Sequence, residues 1–360
     1  MMPLDSRLPV IVTGVGGGGH GHEIVKALRL ARRWRIIGVD MSPISLGLCD
    51  VDVAALVPPA SSPEYVDKIL SLALKHGAKA VFHGSEPELK VLSTARDRFT
   101  AADIYLPLNT PEVIELGMDK AATFSRLEAL GVWVPRTKEI APGEAPPDWT
   151  MPIVVKPSVG GGGSANTYVV QTRAELEFAL SVLHAGGLRA VVQEYVGTPM
   201  DEFTVGVLHD HFGVLVGSIA VRRAILSGLS NRIKTPNLTN RKELGSVLAI
   251  SSGVSQGTVE AAVELRNQAE AIASALGSRG PLNLQCRFVE GRLCLFEVNP
   301  RFSGTTYLRA LVGFNEPDLV LGARLLGEPF PRPPAYCYAT IVRGLREEIV
   351  PEGGFVHSDA

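Results

Sequence analysis

The segment FEVNPRFSGTTY, residues 296–307, carries the side chains best suited to chemistry. An apolar run ends here, and Glu297, Asn299 and Arg301 occupy every second position. On a strand, this spacing places all three side chains on one face. A carboxylate and an amide oxygen beside a guanidinium could hold a hard cation with an anionic ligand. They could equally form a buried ion pair.

A second strand of the same predicted hairpin adds Gln285 to this set. The stretch NLQCRFVEGRLCLFEVNPR predicts two strands that turn at Glu290 and Gly291, and counting across the turn brings Gln285 near Glu297. All cation donors would then be oxygens, which suits Mg²⁺ better than zinc. Arg301 could hold a phosphate or a carboxylate in its planar fork. The alternative is an internal salt bridge between Glu297 and an arginine.

A lysine and four glycines indicate phosphate binding in the middle of the chain. Lys156 ends the β-branched strand IVVK, and Gly160, Gly161, Gly162 and Gly163 form a turn before the next strand. Consecutive glycines leave backbone N–H groups unobstructed, so the loop can fold over phosphate oxygens. The lysine would add a compact positive charge. The alternative is a flexible hairpin with a solvated lysine. That alternative does not explain why the chain carries four consecutive glycines, which are costly to order on folding.

The stretch QEYVGTPMDEFTVGV predicts a nucleoside site. An apolar strand ends at Glu194, Tyr195 and Val196, whose exposed backbone edge can read an adenine through its N–H and C=O groups. Glu202, shortly afterwards, can accept hydrogen bonds from both ribose hydroxyls. The alternative is a hairpin whose acidic tip, Asp201 and Glu202, is solvated.

A glycine-rich loop near the N-terminus suggests a different ligand. Gly16, Gly18 and Gly21 match the pattern G-x-G-x-x-G directly after a strand, and Asp40 closes the following strand. That arrangement is typical of a dinucleotide fold, in which the acid binds a ribose. The alternative is a tight turn at the head of a doubly wound sheet, with Asp40 as a helix cap or turn residue.

The order of predicted elements indicates two architectures along the chain. Up to about residue 110, strands such as LPVIVTG, RIIGVD, KAVFHG and DIYLPL alternate with helices, which is typical of a doubly wound parallel sheet. Beyond residue 200, alternating runs separated by turn residues favour antiparallel strands, and helices are expected at 257–276 and 305–325. The fold class is therefore α/β followed by α+β.

Composition narrows the class of protein. The 360 residues are 46% hydrophobic and 20% charged, which is ordinary globular composition and enough for two or three domains. A formal net charge of -2 gives no basic field for nucleic acid. No run approaches the ~20 apolar residues that span a bilayer. The four cysteines are dispersed without a C-x-x-C pair, so we expect a protein of the reducing cytoplasm.

Together and in this order, these pieces resemble the ATP-grasp superfamily, in the branch similar to the carbamoyl-phosphate synthetase large chain. The resemblance covers nearly the whole chain and rests on MDKAATFSRLEALGVWVP, IVVKPSVGGGGS, VVQEYVGTPMDEFTVGV, LSGLSNRI and GPLNLQCRF…LCLFEVNPRFSGTT. It implies ATP and Mg²⁺ or Mn²⁺ as cofactors. It also implies a Rossmann-like pre-ATP-grasp domain at 1–112, a small lobe with a glycine lid at 113–192 and a C-terminal lobe with the metal site at 193–360.

The resemblance further implies a role for each residue that matches a motif. Residues 160–163 would be a mobile lid over the phosphates, and the N-terminal domain would keep a dinucleotide-like shape without needing a dinucleotide. Gln285 stands where many relatives have an acid. The implied contacts are Lys120 and Lys156 on the nucleotide phosphates, Glu194 and Val196 flanking the adenine with Tyr195 between them, Glu202 on the ribose, Gln285, Glu297 and Asn299 on the metal, and Arg301 on the γ-phosphate or acyl phosphate.

The resulting expectation is an ATP-dependent carboxylate–amine ligase. Its γ-phosphoryl group would move to a substrate carboxylate, and an amine would attack the acyl phosphate to give an amide. Arg232 in SGLSNRI is the candidate for gripping the carboxylate, and Arg222 and Arg223 are further candidates. Small acids and amines, amino acids among them, would be the partners, and a homodimer is a common assembly. The rival classes are an NAD-dependent oxidoreductase and a non-catalytic ATP-binding protein.

Overall fold

The computed structural model describes residues 6–16, 19–159, 165–351 and 354–356, and their strands form four sheets. The four glycines of the predicted lid, 160–163, lie outside the described residues. Among the residues described, no helix combines the length and apolar character that crossing a membrane requires.

A parallel sheet forms the N-terminal region. Its elements are β1 (Leu8–Thr13), α1 (His20–Ala31), β2 (Trp34–Asp40), β3 (Val53–Leu56), α2 (Tyr65–His76), β4 (Ala80–Phe82), α3 (Glu86–Thr94) and α4 (Arg96–Ala101). The strand order is β3-β2-β1-β4, and every pair is parallel. This confirms the predicted α/β class for the region.

Helices cover both faces of this sheet. Val10 of β1 packs with Leu28 of α1 in one core, whereas the next residue, Ile11, packs with Ile69 of α2 in another. Successive side chains of a strand point to opposite faces, so a strand covered on both sides needs a continuous apolar run. The sequence LPVIVT supplies that run, and the doubly wound prediction is confirmed.

Two strand-to-helix turns of this sheet lie in close contact. A side chain at Gly84, after β4, would collide with the carbonyl oxygens of Thr13 and Gly14, after β1. Glycine is therefore the residue that permits the approach. As a result, the first turns of α1 and α3 lie together at the carboxyl ends of the strands, and the rings of His20 and His83 are 5.3 Å apart.

A smaller antiparallel sheet follows. The elements of this part are α5 (Pro111–Met118), α6 (Lys120–Ala129), β5 (Thr137–Ile140), β6 (Ile153–Pro157), β7 (Tyr168–Val170), α7 (Arg173–Ala185) and β8 (Ala190–Glu194). The strand order is β5-β8-β6-β7. Leu176 of α7 packs on Ile153 and Val155. Because β8 ends at Glu194, this sheet extends slightly beyond residue 192, the boundary expected for the small lobe.

The C-terminal part is built on a six-stranded antiparallel sheet. Its elements are β9 (Glu202–His209), β10 (Leu215–Arg223), β11 (Asn231–Pro236), β12 (Val247–Ser251), β13 (Gly257–Glu260), α8 (Val263–Ala275), β14 (Pro281–Val289), β15 (Arg292–Asn299), α9 (Thr306–Leu311), α10 (Glu316–Leu325) and β16 (Thr340–Ile341). The strand order is β15-β14-β9-β10-β13-β16, and β11 and β12 form a separate hairpin. On one face, Leu265 and Ala269 of α8 pack against Val205 and Leu284.

The other face of this sheet shares a core with the N-terminal sheet. Leu28 of α1 and Leu321 of α10 belong to the same buried cluster as Ile219 of β10. The rings of Phe82 and Phe302 meet across the junction, with centroids 5.7 Å apart. The two sheets are therefore joined by apolar packing, and side chains from both can line a common cavity.

Two predicted helices differ from the structure. Residues 257–260 form β13, and the helix begins only at Val263, because the β-branched Thr258 and Val259 pair with β10. The helix expected at 305–325 is two helices, α9 and α10.

The break between α9 and α10 and the end of the N-terminal sheet also have local causes. Gly313, with φ of 111°, interrupts the helical path, and Asn315 caps α10 by accepting a hydrogen bond from the Asp318 N–H. The segment DIYLPL makes a single parallel bridge, Ala80 to Tyr105, where a strand was expected. Pro107 follows closely and has no N–H for a ladder.

Candidate active site

Two adjoining cavities lie where the three parts of the chain meet. The first is lined by the small sheet and the C-terminal sheet, including Lys156, Glu194 and Glu202. The second, of about 670 Å³, lies between the N-terminal turns and the C-terminal sheet, next to Arg301. Ser251, Gln285 and Glu297 line both cavities, so a group bound at this junction can be reached from either side.

Lys156 is a buried cation at the wall of the first cavity. Its Nζ donates to Gln193 Oε1 at 2.8 Å and to the Phe296 carbonyl oxygen at 3.2 Å. Burial lowers the pKa of Lys156 to about 7, although the nearby Glu297 carboxylate raises it, and Lys120 lowers it further. Both hydrogen-bond acceptors are neutral, so an anionic ligand would stabilise the charged ammonium.

Lys120 lies at the same wall, as predicted for a phosphate contact. It is the first residue of α6, whose N-cap is Asp119, and its N–H donates to the Ser158 carbonyl oxygen at 3.1 Å. Asp119 also forms a bridge with Val159, just before the undescribed glycines. The start of α6 and the end of β6 are thus tied together, with both lysines on one cavity.

The predicted metal ligands occupy adjacent positions on β14 and β15. Gln285 pairs with Glu297 in the ladder, and an irregularity between Gln285 and Cys286 produces this register. Asn299 Nδ2 donates to Glu297 Oε1 at 3.3 Å, and Arg223 Nη1 donates to Gln285 Oε1 at 2.7 Å. The sequence prediction that Gln285 lies near Glu297 is confirmed.

This donor set fits a hard cation that keeps other ligands. Gln285, Glu297 and Asn299 offer oxygens, and only one of the three is an acid, in line with the finding that no cluster of three or more His, Cys, Asp or Glu occurs in the described part of the chain. Mg²⁺ is commonly held by one or two carboxylates together with phosphate oxygens and water. The residues therefore suit a metal that arrives with a triphosphate.

Glu202 is buried between two arginines. Its side chain is 2% exposed, and its carboxylate lies 3.3 Å from Arg223 and 3.4 Å from Arg287. This rules out the solvated acidic tip considered from sequence. Its Oε1 atom has no hydrogen-bond partner among the described residues, yet Glu202 lines the first cavity. A buried acceptor of this kind is suited to a hydroxyl donor from a ligand.

Glu194, Tyr195 and Val196 run along the same cavity, as the sequence predicts. The Val196 carbonyl oxygen accepts a hydrogen bond from Arg287 Nη1 at 2.9 Å. The Tyr195 ring lies under the Arg287 guanidinium at 4.4 Å, and its hydroxyl donates to the Ala249 carbonyl oxygen. Arg287 therefore fixes this segment, and adenine recognition by its backbone stays a prediction.

Arg301 faces the second cavity and is held by the N-terminal region. Its Nη2 donates to Glu86 Oε1 and to Asn299 Oδ1, both at 2.9 Å, and its Nη1 donates to the Phe302 carbonyl oxygen at 3.0 Å. Arg301 thus forms an ion pair with Glu86, a residue 215 positions away. The sequence alternative paired Glu297 with an arginine.

The structure does not bring Arg232 to either cavity. β11 alternates between half-buried and exposed residues, and Arg232 falls on its exposed face. Of the two further candidates, Arg222 pairs with Glu260 at the surface, whereas Arg223 is buried and lines the second cavity. The position of Arg223 favours it over Arg232 for contact with a substrate.

The N-terminal glycine loop has a local role. Asp40 accepts hydrogen bonds from the N–H of Gly16 at 2.8 Å and of Ser42 at 3.0 Å, and only 7% of the residue is exposed. Its carboxylate is engaged by the backbone, as the turn interpretation predicts. Gly18 lies outside the described residues.

Sequence reasoning missed Glu86, Gln193 and Arg287, whose side chains line the two cavities. Glu86 follows β4 in the segment HGSEPE, where Ser85 caps α3. Side chains at the carboxyl ends of parallel strands meet at one edge of a sheet. That rule could have identified Glu86, whereas nothing local marks Gln193 or Arg287.

Family models match two parts of the chain. Residues 11–106 match the PylC-like N-terminal domain, and residues 190–344 match the family described as ATP-grasp in the biosynthetic pathway with Ter operon. The first range covers the parallel sheet, and the second covers β8 to β16 with Glu202, Gln285, Glu297 and Arg301.

Curated relatives and solved structures agree with these matches. The chain is 27% identical over 209 residues to a carbamoyl phosphate synthase large chain from Thermoplasma acidophilum, covering 56% of this chain and 18% of that protein. It is 25% identical over 307 residues to the carbamoyl phosphate synthase large chain from Deinococcus deserti, covering 80% of this chain and 27% of that protein. The chain thus spans under a third of the length of these relatives. An L-amino acid ligase from Bacillus licheniformis has the same fold, with a TM-score of 0.62, 18% identity and coverage of 88% and 74%.

Proposed function

We propose that this chain, whose residues 190–344 match an ATP-grasp family, is an ATP-dependent ligase that joins a carboxylate to an amine through an acyl phosphate, releasing ADP and phosphate. The junction of the two cavities carries this proposal. Gln285 and Glu297 line both, with Lys156 on one side and Arg301 on the other. A phosphoryl group bound there can pass from a nucleotide in the first cavity to an acid in the second.

The first cavity is the nucleotide site in this proposal. Lys156 and Lys120 contact the phosphates, and a bound triphosphate returns the depressed pKa of Lys156 toward its ordinary value. Glu202 Oε1 accepts from the ribose, and the segment 194–196 lies along the adenine.

The metal site consists of Gln285, Glu297 and Asn299. Mg²⁺ or Mn²⁺ held there would neutralise charge on the triphosphate oxygens. Arg223 and Arg301 already donate to Gln285 and Asn299, so these guanidiniums keep the amide oxygens oriented.

The acid lies in the second cavity against Arg301. A guanidinium can grip a carboxylate or the acyl phosphate made from it in a two-pronged contact. The buried Arg223 adds positive charge at the same wall. Enclosure by the surrounding strands and turns protects the acyl phosphate from water, which would otherwise hydrolyse it.

A screen of ADP release tests this function. Purified protein is offered ATP and Mg²⁺ with a matrix of small acids and amines, including amino acids, and products are identified by mass. We expect ADP release that needs both an acid and an amine, and Lys156→Ala and Glu297→Ala should each abolish it. Lys138→Ala is the matched control, because Lys138 pairs with Glu144 at the surface and lines neither cavity. Normal turnover by either site variant would contradict these roles.

Thermal-shift measurements separate the rival classes. Stabilisation by ATP with Mg²⁺ but not by NAD is expected, because Asp40 is bonded to the Gly16 N–H. Stabilisation by ATP without ADP formation with any acid and amine would favour a non-catalytic binding protein.

We also propose that the protein is located in the cytoplasm and forms a homodimer. The four cysteines are unpaired, which supports a reducing compartment.

A further inference from the structure

The two walls of the second cavity differ in chemistry. The C-terminal wall presents Arg223 and Arg301, which are cationic. The N-terminal wall presents His20 and Glu86, the first residues of α1 and α3, together with Lys90 of α3. The volume of about 670 Å³ is ample for two small molecules. An acid on the cationic wall would leave the opposite wall facing its second reactant.

His20 is an unsatisfied base at this opposite wall. Its Nε2 atom is buried and has no hydrogen-bond partner among the described residues, and the ring meets His83 edge to face. The charged and titratable groups that face it are Arg301 and His83. Burial, then the Arg301 charge, lowers the pKa of His20 well below its ordinary value, so the imidazole is neutral at pH 7. A neutral imidazole has one nitrogen free to accept a proton.

Glu86 provides negative charge on the same wall of the cavity, where Arg301, Lys120 and His83 are the charged or titratable groups that act on it. Burial raises the pKa of Glu86, but Arg301 opposes this strongly enough to hold that pKa below its ordinary value, so the group is ionised. The Arg301 contact involves Oε1, and a carboxylate has acceptor sites for further donors. Glu86 can therefore pair with a second cation without releasing Arg301.

We propose, on the premise of the ligase function above, that this wall is the amine site: Glu86 pairs with the incoming ammonium and His20 acts as its general base. The ammonium gives one proton to His20 and becomes a neutral amine. The amine nitrogen then bonds to the acyl carbon while the bond from that carbon to the phosphate oxygen breaks. The departing phosphate takes the second proton, so amide, hydrogen phosphate and a protonated His20 result.

Hydroxylamine offers a direct test, because it is a neutral nucleophile at pH 7 and traps acyl phosphates as hydroxamates without a base. Wild type and His20→Gln are compared with each of the twenty standard amino acids as the acid. The nucleophile is either hydroxylamine, an amino acid, methylamine or ammonium chloride. We expect His20→Gln to form hydroxamate at the wild-type rate. Its amide formation should fall by about 100-fold or more and recover as pH rises and free amine accumulates.

The control variant is His211→Gln, which changes an exposed histidine between β9 and β10 and should alter neither product. Unfolding temperature and ATP affinity verify that His20→Gln is folded. Equal loss of both products, or loss of neither, would overturn the amine site and leave the ligase function standing. Wild-type hydroxamate without amide from any of these amines would overturn it as well. Absence of wild-type hydroxamate with all twenty amino acids would overturn the ligase proposal for amino acid substrates, and the amine site that rests on it.

Discussion

The two cavities are built from different parts of the fold. The first is lined largely from strands: Lys156 lies on β6, Glu194 on β8, Glu202 on β9 and Gln285 on β14. The second is lined in large part by turns and by the first residues of helices, at 19–20, 84–87, 252–253 and 301–305. Strands fix side chains by ladder hydrogen bonds, whereas turns tolerate change. Under the proposed function, the nucleotide site would then be the more constant of the two, and the substrate site would be the one that varies among proteins of this fold.

Lys156→Met should have the largest effect on turnover, and it should act through the first cavity. Turnover should fall by about 1,000-fold, since a positioned cation is removed from the developing phosphate charge. The ligand-free variant should nevertheless be more stable than wild type near pH 7, because a buried ammonium is unfavourable.

The stability difference between wild type and Lys156→Met should depend on pH in a definite direction. The pKa of Lys156 is about 7 in the folded protein against an ordinary 10.5, so the unfolded chain binds more protons between these values. Wild-type stability should therefore rise from pH 7 toward 10.5, and the advantage of Lys156→Met should shrink over that window. Urea unfolding at several pH values, without nucleotide, measures this. A constant difference would contradict it.

Glu202→Gln should strongly destabilise the same cavity. It leaves Arg223 and Arg287 as buried cations without their carboxylate, which costs about 3–5 kcal/mol. Glu260→Gln is the matched control, because Glu260 pairs with Arg222 at the surface, where a pair contributes about 1 kcal/mol or less. Chemical unfolding of both variants compares them. Similar losses would show that burial does not distinguish the two pairs.

Arg301→Lys should impair the second cavity while leaving nucleotide binding in the first cavity intact. A lysine keeps the charge but loses the planar fork that contacts Glu86, Asn299 and the Phe302 carbonyl, so turnover should fall by about 100-fold. Affinity for ATP with Mg²⁺, measured by calorimetry, should stay within about twofold. Weakened ATP binding equal to the loss of turnover would mean that the two cavities act as one site.

Asp50→Asn should produce the smallest effect, a modest loss of stability in the region that supports the N-terminal wall of the second cavity. Asp50 accepts from His22 Nε2 at 2.8 Å and pairs with Arg346 of the C-terminal segment. Its hydrogen bond with His22, then the Arg346 charge, holds the pKa of Asp50 at about 2, below its ordinary 3.8, against the effect of burial. A loss of about 1 kcal/mol is expected after allowance for solvent screening.

The stabilisation by Asp50 should be present above pH 3.8 and disappear as pH falls through 2, because a depressed acid pKa favours the folded state only while the group is ionised. Urea unfolding of wild type and variant down this range checks the direction. A difference that grows toward low pH would contradict it.

Short sequence patterns were enough to predict most of the fold and the pairing of Gln285 with Glu297 in the candidate site. The run LPVIVT predicted a strand buried on both faces, and the turn at Glu290 and Gly291 placed Gln285 near Glu297. These inferences needed only periodicity and counting. Thr258 and Val259 were assigned to a helix because their pairing with β10 is not visible in a window of a few residues.

The contacts that escaped prediction join distant segments. Glu86 meets Arg301 across 215 positions, and Arg287 reaches Val196 across 91. Whether an acid is solvated or buried depends on such partners, so Glu202 was compatible with both readings. The contact between the His20 and His83 rings likewise joins two turns of the parallel sheet that are distant in sequence.

The apolar seam around Phe82 and Phe302 bears on how reactants enter. It joins the N-terminal and C-terminal sheets in one continuous core, whereas β5 to β8 have a separate core around Ile153 and Leu176. Under the proposed function, a hinge motion that opens the first cavity therefore moves the small sheet. Nucleotide could then enter and leave while the residues proposed to hold the acid and the amine keep their positions.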